Sequence, residues 1–433
     1  MRVYSFPRGG LSFEDSTAPS GNSSVTACLP GLSIIPLTQH SGGRAYPVVT
    51  VGDRVKEGML IGRGQGTGSA NVHATVPGKV VSLVSWKTAN GLSNEALVIS
   101  MGGSFEKLGK AEGLSPWSGL SPYELQHIVS EYGVVEMEGS GRPLSEIVSG
   151  ARSSPEPLSL VVRCVFDDPW LAADYALCRE RFKAVVEGGV IAANMTGARR
   201  LVFAVSRQKK DLGNLFLAEA GNYDIPVSLV LTGSRYPQRN RRELELILRS
   251  YEKKESVALD SLFILGPATL AAVYDAVRLK KPILDRYVSV GGSAVRRPQV
   301  MRVRIGTRIG EVFDECGGFI EKPKRIATGS PLLGQRVVDL DEPIVKTSFA
   351  VFAILENQSK KSAPQNCIGC GDCRTVCPVG LDPEELFKKI EGGNFQPPAG
   401  GWLGECHGCG CCDVVCPSRL PLSSVILNAS GEG

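Results

Sequence analysis

The strongest constraint in the chain is a pair of cysteine runs near its end. Cys367, Cys370, Cys373 and Cys377 are spaced C-x2-C-x2-C-x3-C with Pro378 after the fourth. Cys406, Cys409, Cys412 and Cys416 repeat that spacing, again followed by a proline, Pro417. Structural zinc also takes four thiolates, but zinc modules pair two C-x2-C units across a spacer of about a dozen residues or more. Here four thiols crowd into eleven residues, twice, each run ending in Cys-Pro. That crowding fits iron–sulfur clusters, whose iron shares charge with soft thiolate sulfur. Cys411, between Gly410 and Cys412, falls outside the pattern and reads as a spare thiol.

A chain of 433 residues has room for two to four domains. Hydrophobic residues at 42% and charged residues at 21% give ordinary globular cores. A net charge of +4 is too mild to argue for nucleic acid. Eight of the thirteen cysteines lie in runs that need reduced thiols, so a cytosolic compartment is expected. Cys28, Cys164, Cys178 and Cys316 read as buried small hydrophobes. Met1 to Gly10 lacks the apolar core of a leader, and no run of eighteen apolar residues is long enough to span a membrane.

Residues 30 to 100 alternate short apolar stretches with Gly, Asp and Pro turns, as strands and tight turns do. The pattern from Gly52-Asp53 through Val76-Pro77-Gly78-Lys79-Val80 resembles the barrel-sandwich fold of biotinyl and lipoyl carriers. The stretch Gly62 to His73 has no lysine to carry a cofactor, which excludes the carrier function and leaves a scaffold. His73 there reads as a packing or surface side chain. Leu114 to Pro122 marks a boundary rich in Gly, Ser and Pro. Strands are then expected at 158–162, 201–205, 227–231 and 262–265, and helices at about 170–187, 241–253 and 268–279. This alternation predicts an α/β domain with a mainly parallel sheet, which binds ligands at the carboxyl ends of its strands. Short strands return over 285–345, and a polar linker, Glu356 to Asn366, leads to the cysteine runs. A Gly/Pro-rich stretch, Gly392 to Gly401, joins the two runs.

The cysteine runs resemble the bacterial two-cluster ferredoxin pattern, in which each fourth cysteine reaches the other cluster. The resemblance implies two [4Fe-4S] clusters, one held by Cys367, Cys370, Cys373 and Cys416, the other by Cys406, Cys409, Cys412 and Cys377. The whole module order is similar to the C subunit of Rnf-type ion-translocating ferredoxin:NAD oxidoreductase complexes. Phe6-Pro7-Arg8-Gly9-Gly10-Leu11 looks like that family's opening F-x-G-G-I, and Pro36-Leu37-Thr38-Gln39-His40 like its P-L-x-Q-H. Tyr236-Pro237-Gln238, Gly306-Thr307 and Gly329 to Gly334 fall in family order. The implied architecture is multidomain, α/β plus β. It has an N-terminal region (1–113) with the barrel-sandwich module, an α/β domain like the complex I flavin subunit (114–284), a β-grasp-like module (285–355) and a linker with the two-cluster domain (356–433). The implied partners are membrane and soluble subunits of the complex, on the cytoplasmic face of the cell membrane, with FMN and NADH bound in the α/β domain.

The flavin stretches depart from the family pattern. The family's G-x-G-G-A-G-F-P loop is replaced by Glu136-Met137-Glu138-Gly139-Ser140-Gly141-Arg142-Pro143. Carboxylates beside a phosphate are electrostatically wrong, although Arg142 could pair with one. The N-G-A-E-C-E-P-Y stretch appears as Arg163 to Trp170, keeping only Asp168, Pro169 and Trp170 of its ending. N-V-G-T appears as Gly266-Pro267-Ala268-Thr269 without the asparagine. Gly139, Gly141, Arg142 and Asp168 are therefore the candidate flavin and nucleotide contacts. Two readings stay open. In one the chain is the NADH-linked flavin subunit. In the other it is a cluster-only relay that takes electrons from a protein donor such as ferredoxin or flavodoxin. They differ sharply, because nicotinamide delivers two electrons together and a cluster accepts one, so NADH needs a flavin between them.

Overall fold

The computed structural model describes the chain except residues 1, 15–16, 88–92, 103–112, 139–140, 331, 333, 356–362, 394–404 and 431–433. Most of the linker 356–366 and of the Gly/Pro-rich join 392–401 therefore lies outside the described residues.

The barrel module packs a four-stranded sheet, in the order Leu32–Pro36, Ser93–Met101, Gly78–Lys87 and Arg54–Val55, against a three-stranded one of Tyr46–Pro47, Leu60–Arg63 and Val72–His73. Alternating side chains from both sheets, among them Ile35, Leu37, Val55, Ile61, Val76 and Ile99, close its core.

Ser121 starts the next domain by capping the helix Pro122–Glu131. Its hydroxyl accepts from the Glu124 amide, and the Glu124 carboxylate accepts from the Ser121 amide at 2.8 Å. Five parallel strands follow in the order Val3–Tyr4, Val227–Thr232, Arg200–Ser206, Leu158–Cys164 and Ser261–Leu265. Leu158–Cys164 is central and almost wholly buried, because helices cover both faces of the sheet. The single helix expected over 170–187 is instead two, Ala173–Glu180 and Phe182–Thr196, broken at Arg181, whose φ of −130° leaves the helical region. Arg181 there forms an ion pair with Asp275 at 2.5 Å, which holds the break against the helix Pro267–Leu279.

The third module is a six-stranded sheet that includes Asp285–Gly291, Gln299–Arg304 and Ala350–Ile354. The N-terminal residues are shared out. Val3–Tyr4 extends the parallel sheet, and Ser20–Thr26 pairs with Gln299–Arg304, so residues before about 30 brace two other modules. Cys164, Cys178 and Cys316 are buried as expected, with the first two sulfurs 3.8 Å apart, but Cys28 is exposed, its backbone amide donating to Glu315. No helix among the described residues is long and apolar enough to cross a membrane.

Two histidines lie where the barrel meets its neighbours. His73 is buried and stacks on Tyr132 of the α/β domain. The two ring nitrogens of His40 face the backbone amides of Gly42 (2.9 Å) and Ala70 (3.2 Å), so an added proton would meet donors instead of acceptors. Burial, with the Lys346 charge adding to it, pushes His40 down to about 4 and His73 down to about 3 from an ordinary 6.5. Both rings stay neutral in the fold and take up protons only on unfolding. The stability they share is present above pH 6.5 and is lost as pH falls from 6.5 toward 4, at ~1.4 kcal/mol per pH unit for each ring. Thermal melts across pH 4 to 7 should show that slope, and His73→Phe should make it shallower; an unchanged slope in the variant would remove His73 from the account.

Candidate functional site

A cavity of about 1060 Å³ opens at the carboxyl ends of the parallel strands. Its walls come from three modules: the barrel loop Thr38 to Arg44, the α/β segments around Glu138, Asp168 and Arg239, and residues 328–349 of the third module. Of the candidate contacts, Gly141 and Asp168 line it and Gly139 lies outside the described residues. Arg142 is not among the lining residues. Its guanidinium bonds Glu146 at 2.5 Å on the following helix.

Sequence reasoning flagged Glu138 and Asp168 but missed their partners and the roles of Arg163, Asp167 and Arg239. Glu138 reaches the N-terminus of Pro267–Leu279. One carboxylate oxygen accepts from the amides of Ala268 (2.5 Å) and Thr269 (3.0 Å), and the other accepts from the Thr269 hydroxyl (2.5 Å). Burial raises the pKa of this carboxyl, and the Asp174 charge adds to the rise. The Arg286 charge, the Thr269 donor and the Arg163 charge pull the other way, and three donors on two oxygens suit the ionised form. Arg163 donates to the Glu138 carbonyl at 2.6 Å. Asp167 accepts from the Arg239 amide at 3.0 Å and is pushed up to about 7 by burial, while its Oδ1 has no partner among the described residues. Asp168 accepts from Trp170 and Ser330, each at 3.0 Å, tying the α/β domain to the third module. Arg239 is held by Asp174 at 3.0 Å.

The two cysteine runs fold alike. Short helices, Asp372–Val376 and Cys411–Val415, each follow a glycine of positive φ (Gly371, +79°; Gly410, +74°) and end at an extended fourth cysteine. All eight thiols are free of disulfides. Cys377, from the first run, lies near enough to Cys406, Cys409 and Cys412 of the second for charge on one to act on another. Cys367 and Cys416, from opposite runs, pack on one apolar cluster with Cys373, Cys412, Leu420 and Leu422. Backbone amides point at sulfur, Gly369 at Cys367 (3.4 Å) and Leu381 at Cys377 (3.2 Å). Among the described residues no three His, Cys, Asp or Glu side chains are drawn together as the ligands of a single ion. The donor set, eight reduced thiols with Cys377 turned to the opposite run, fits iron–sulfur ligation.

This cysteine unit is seated on the α/β domain by the N-terminal strap. Gly10 donates to the Val376 carbonyl at 2.9 Å, and Leu11 bridges to Tyr236. The Tyr236 hydroxyl donates to the Cys409 carbonyl at 2.9 Å while the same residue lines the cavity. Phe13 stacks between Tyr236 and Trp170, with ring centroids 5.3 and 5.5 Å away. One residue thus touches both the cavity and the second cysteine run.

Family models cover these units in order: the RnfC barrel sandwich hybrid domain over residues 5–104, the Nuo51 FMN-binding domain over 129–274 and the SLBB domain over 287–335. The chain is 31% identical to the C subunit of the ion-translocating oxidoreductase complex of Rhodobacter capsulatus, over 90% of this chain and 76% of that one. It belongs to the family of these C subunits. The C subunit of the proton-translocating ferredoxin:NAD(+) oxidoreductase complex of Clostridium ljungdahlii is 30% identical over 88% of this chain and 83% of its own. A crystal structure of NAD+-reducing [NiFe]-hydrogenase aligns with TM-score 0.49 at 14% identity, over 72% of this chain and 62% of that one. The three family models fall in the expected order, and the third, β-grasp-like unit is an SLBB domain.

The strap explains the family-like opening Gly-Gly. Gly9 has φ +63°, and a Cβ there would lie 2.6 Å from the backbone of Cys377. Gly9→Ala should therefore loosen the cysteine unit and destabilise it by ~1–3 kcal/mol, visible as increased proteolysis between the α/β and cysteine units. Wild-type protection in the variant would show that the strap does not carry the docking.

Proposed function

We propose that the chain is the peripheral electron-relay subunit of a membrane-bound ion-translocating complex that links ferredoxin and NAD. In this reading Cys367, Cys370, Cys373 and Cys416 hold one [4Fe-4S] cluster and Cys406, Cys409, Cys412 and Cys377 hold the other. When bound, each cluster supplies one-electron storage. The supporting observation is the crosswise placement of Cys377 beside the second run, on a unit whose Cys409 backbone is held by a residue of the cavity wall.

The chain's own residues serve this relay in three ways. Leu420, Leu422 and Phe387 exclude water from the sulfurs of both runs. The amides of Gly369 and Leu381 donate to thiolate sulfur, which stabilises added negative charge and raises the reduction potential. Tyr236 and the strap fix the second run against the cavity, so that the second run faces inward while Ile368 and Cys370 of the first are exposed. The exposed first run faces the docking partners, the other subunits of the complex or a soluble donor such as ferredoxin. The complex would hold the chain on the cytoplasmic face of the cell membrane.

Anaerobic reconstitution should yield about eight iron and eight sulfide per chain, with visible absorbance bleached by dithionite. Cys377→Ser should lose about half the iron together with the cluster of the second run, not that of its own run. Zinc in place of iron, or loss confined to the first run, would sink this assignment.

A further inference from the structure

We infer that Glu138 occupies the anion position of the cavity, so that this subunit excludes the phosphate of FMN. The inference rests on the FMN-binding-type match of the α/β domain and is independent of the cluster relay.

A helix N-terminus at the carboxyl edge of a parallel sheet presents unpaired amides and the positive end of the helix dipole, which is where such domains bind phosphate. Pro267–Leu279 follows directly from the edge strand Ser261–Leu265 through Gly266. Two of its first-turn amides, on Ala268 and Thr269, and the Thr269 hydroxyl already donate to the Glu138 carboxylate. The three donors an incoming phosphate would use are spent on a group of the same charge.

Gly266 shows that this contact is built in. A Cβ at Gly266 would lie 2.3 Å from the Glu138 carboxyl carbon, closer than any side chain could stand. The Glu138 carboxylate therefore sits in the space that a side chain at residue 266 would take. The rest of the lining offers phosphate no free positive charge among the described residues. Among the described residues it carries five carboxylates, on Glu95, Glu138, Asp167, Asp168 and Glu342, against the guanidiniums of Arg44 and Arg239. Arg44 is already paired with Glu95, and Arg239 with Asp174. The cavity is built for a ligand that carries no phosphate at this end.

The test titrates FMN and riboflavin, which differ only in the phosphate, into the cluster-loaded full chain and into Glu138→Ala, following flavin fluorescence. The wild type is expected to show no preference for FMN over riboflavin, including the case in which it binds neither. Glu138→Ala is expected to bind FMN more tightly by about tenfold or more, with a smaller change for riboflavin. The inference is overturned if the wild type prefers FMN by about tenfold, or if a folded Glu138→Ala, checked by circular dichroism, gains no FMN affinity. Should the variant not fold, the wild-type preference alone decides. Dithionite bleaching in the same samples reports the clusters separately, so failure of the relay reading is not mistaken for failure of this one.

Discussion

The cavity exists because three modules meet on one buried ammonium. Lys346 is 2% exposed, and its Nζ donates to the carbonyls of Asn71 in the barrel (2.6 Å) and Gly133 in the α/β domain (2.7 Å). Its own backbone amide donates to Gln39 at 3.3 Å. Burial pulls its pKa down to about 7, because carbonyl oxygens offer partial charge where a carboxylate would offer a full one. The charged form is costly to bury, so the two carbonyls that accept from it must hold their positions. The loops they fix, around Gln39, Gly141 and Ser348, wall the cavity. The same positive charge adds to the burial that keeps His40 and His73 neutral, so the junction sets the acid sensitivity of the fold as well as its shape.

A second junction makes the cavity relevant to electron transfer. The strap Phe6 to Phe13 runs between the α/β domain and the cysteine unit, fixed at one side by Arg235, which donates to the Gly9 carbonyl at 2.7 Å, and at the other by Val376. Tyr236 completes the contact with a hydrogen bond to the Cys409 backbone. Such a seat fixes distance, and distance governs electron transfer more than the strength of any one contact. It also explains the unequal burial of the two runs. The second lies under the strap and Tyr236, while Ile368 and Cys370 of the first meet solvent.

Module order was legible in the sequence because each unit has its own period: turns every few residues in the barrel, alternating strands and helices in the α/β domain, and cysteine spacing at the end. The parallel sheet was readable from four apolar runs. Its fifth strand, Val3–Tyr4, was not, since two residues carry no periodicity and are recruited only by the edge of Val227–Thr232. The break at Arg181 was hidden for a similar reason: apolar spacing continues across it, and only the Asp275 partner, far away in sequence, stabilises it. At the cavity the sequence showed that Glu138 is wrong for a phosphate loop, but not where its carboxylate goes. It also placed Arg142 beside the ligand, whereas Glu146, one turn on, captures it.

Glu138 and Gly266 show how a site can change without loss of the fold around it. A vacant helix N-terminus facing an apolar or acidic wall leaves amides unsatisfied, which costs stability when nothing binds. A phosphate ligand meets that need from outside; a glutamate meets it from within and keeps the helix capped whether or not the cavity is filled. The carboxylate therefore caps the helix in the act of closing one ligand position, in the space that glycine at 266 leaves open. Among the described residues no hydrogen bond joins Glu138 or Gly266 to the cysteine runs, the strap or Lys346, so the relay contacts stand apart from this position.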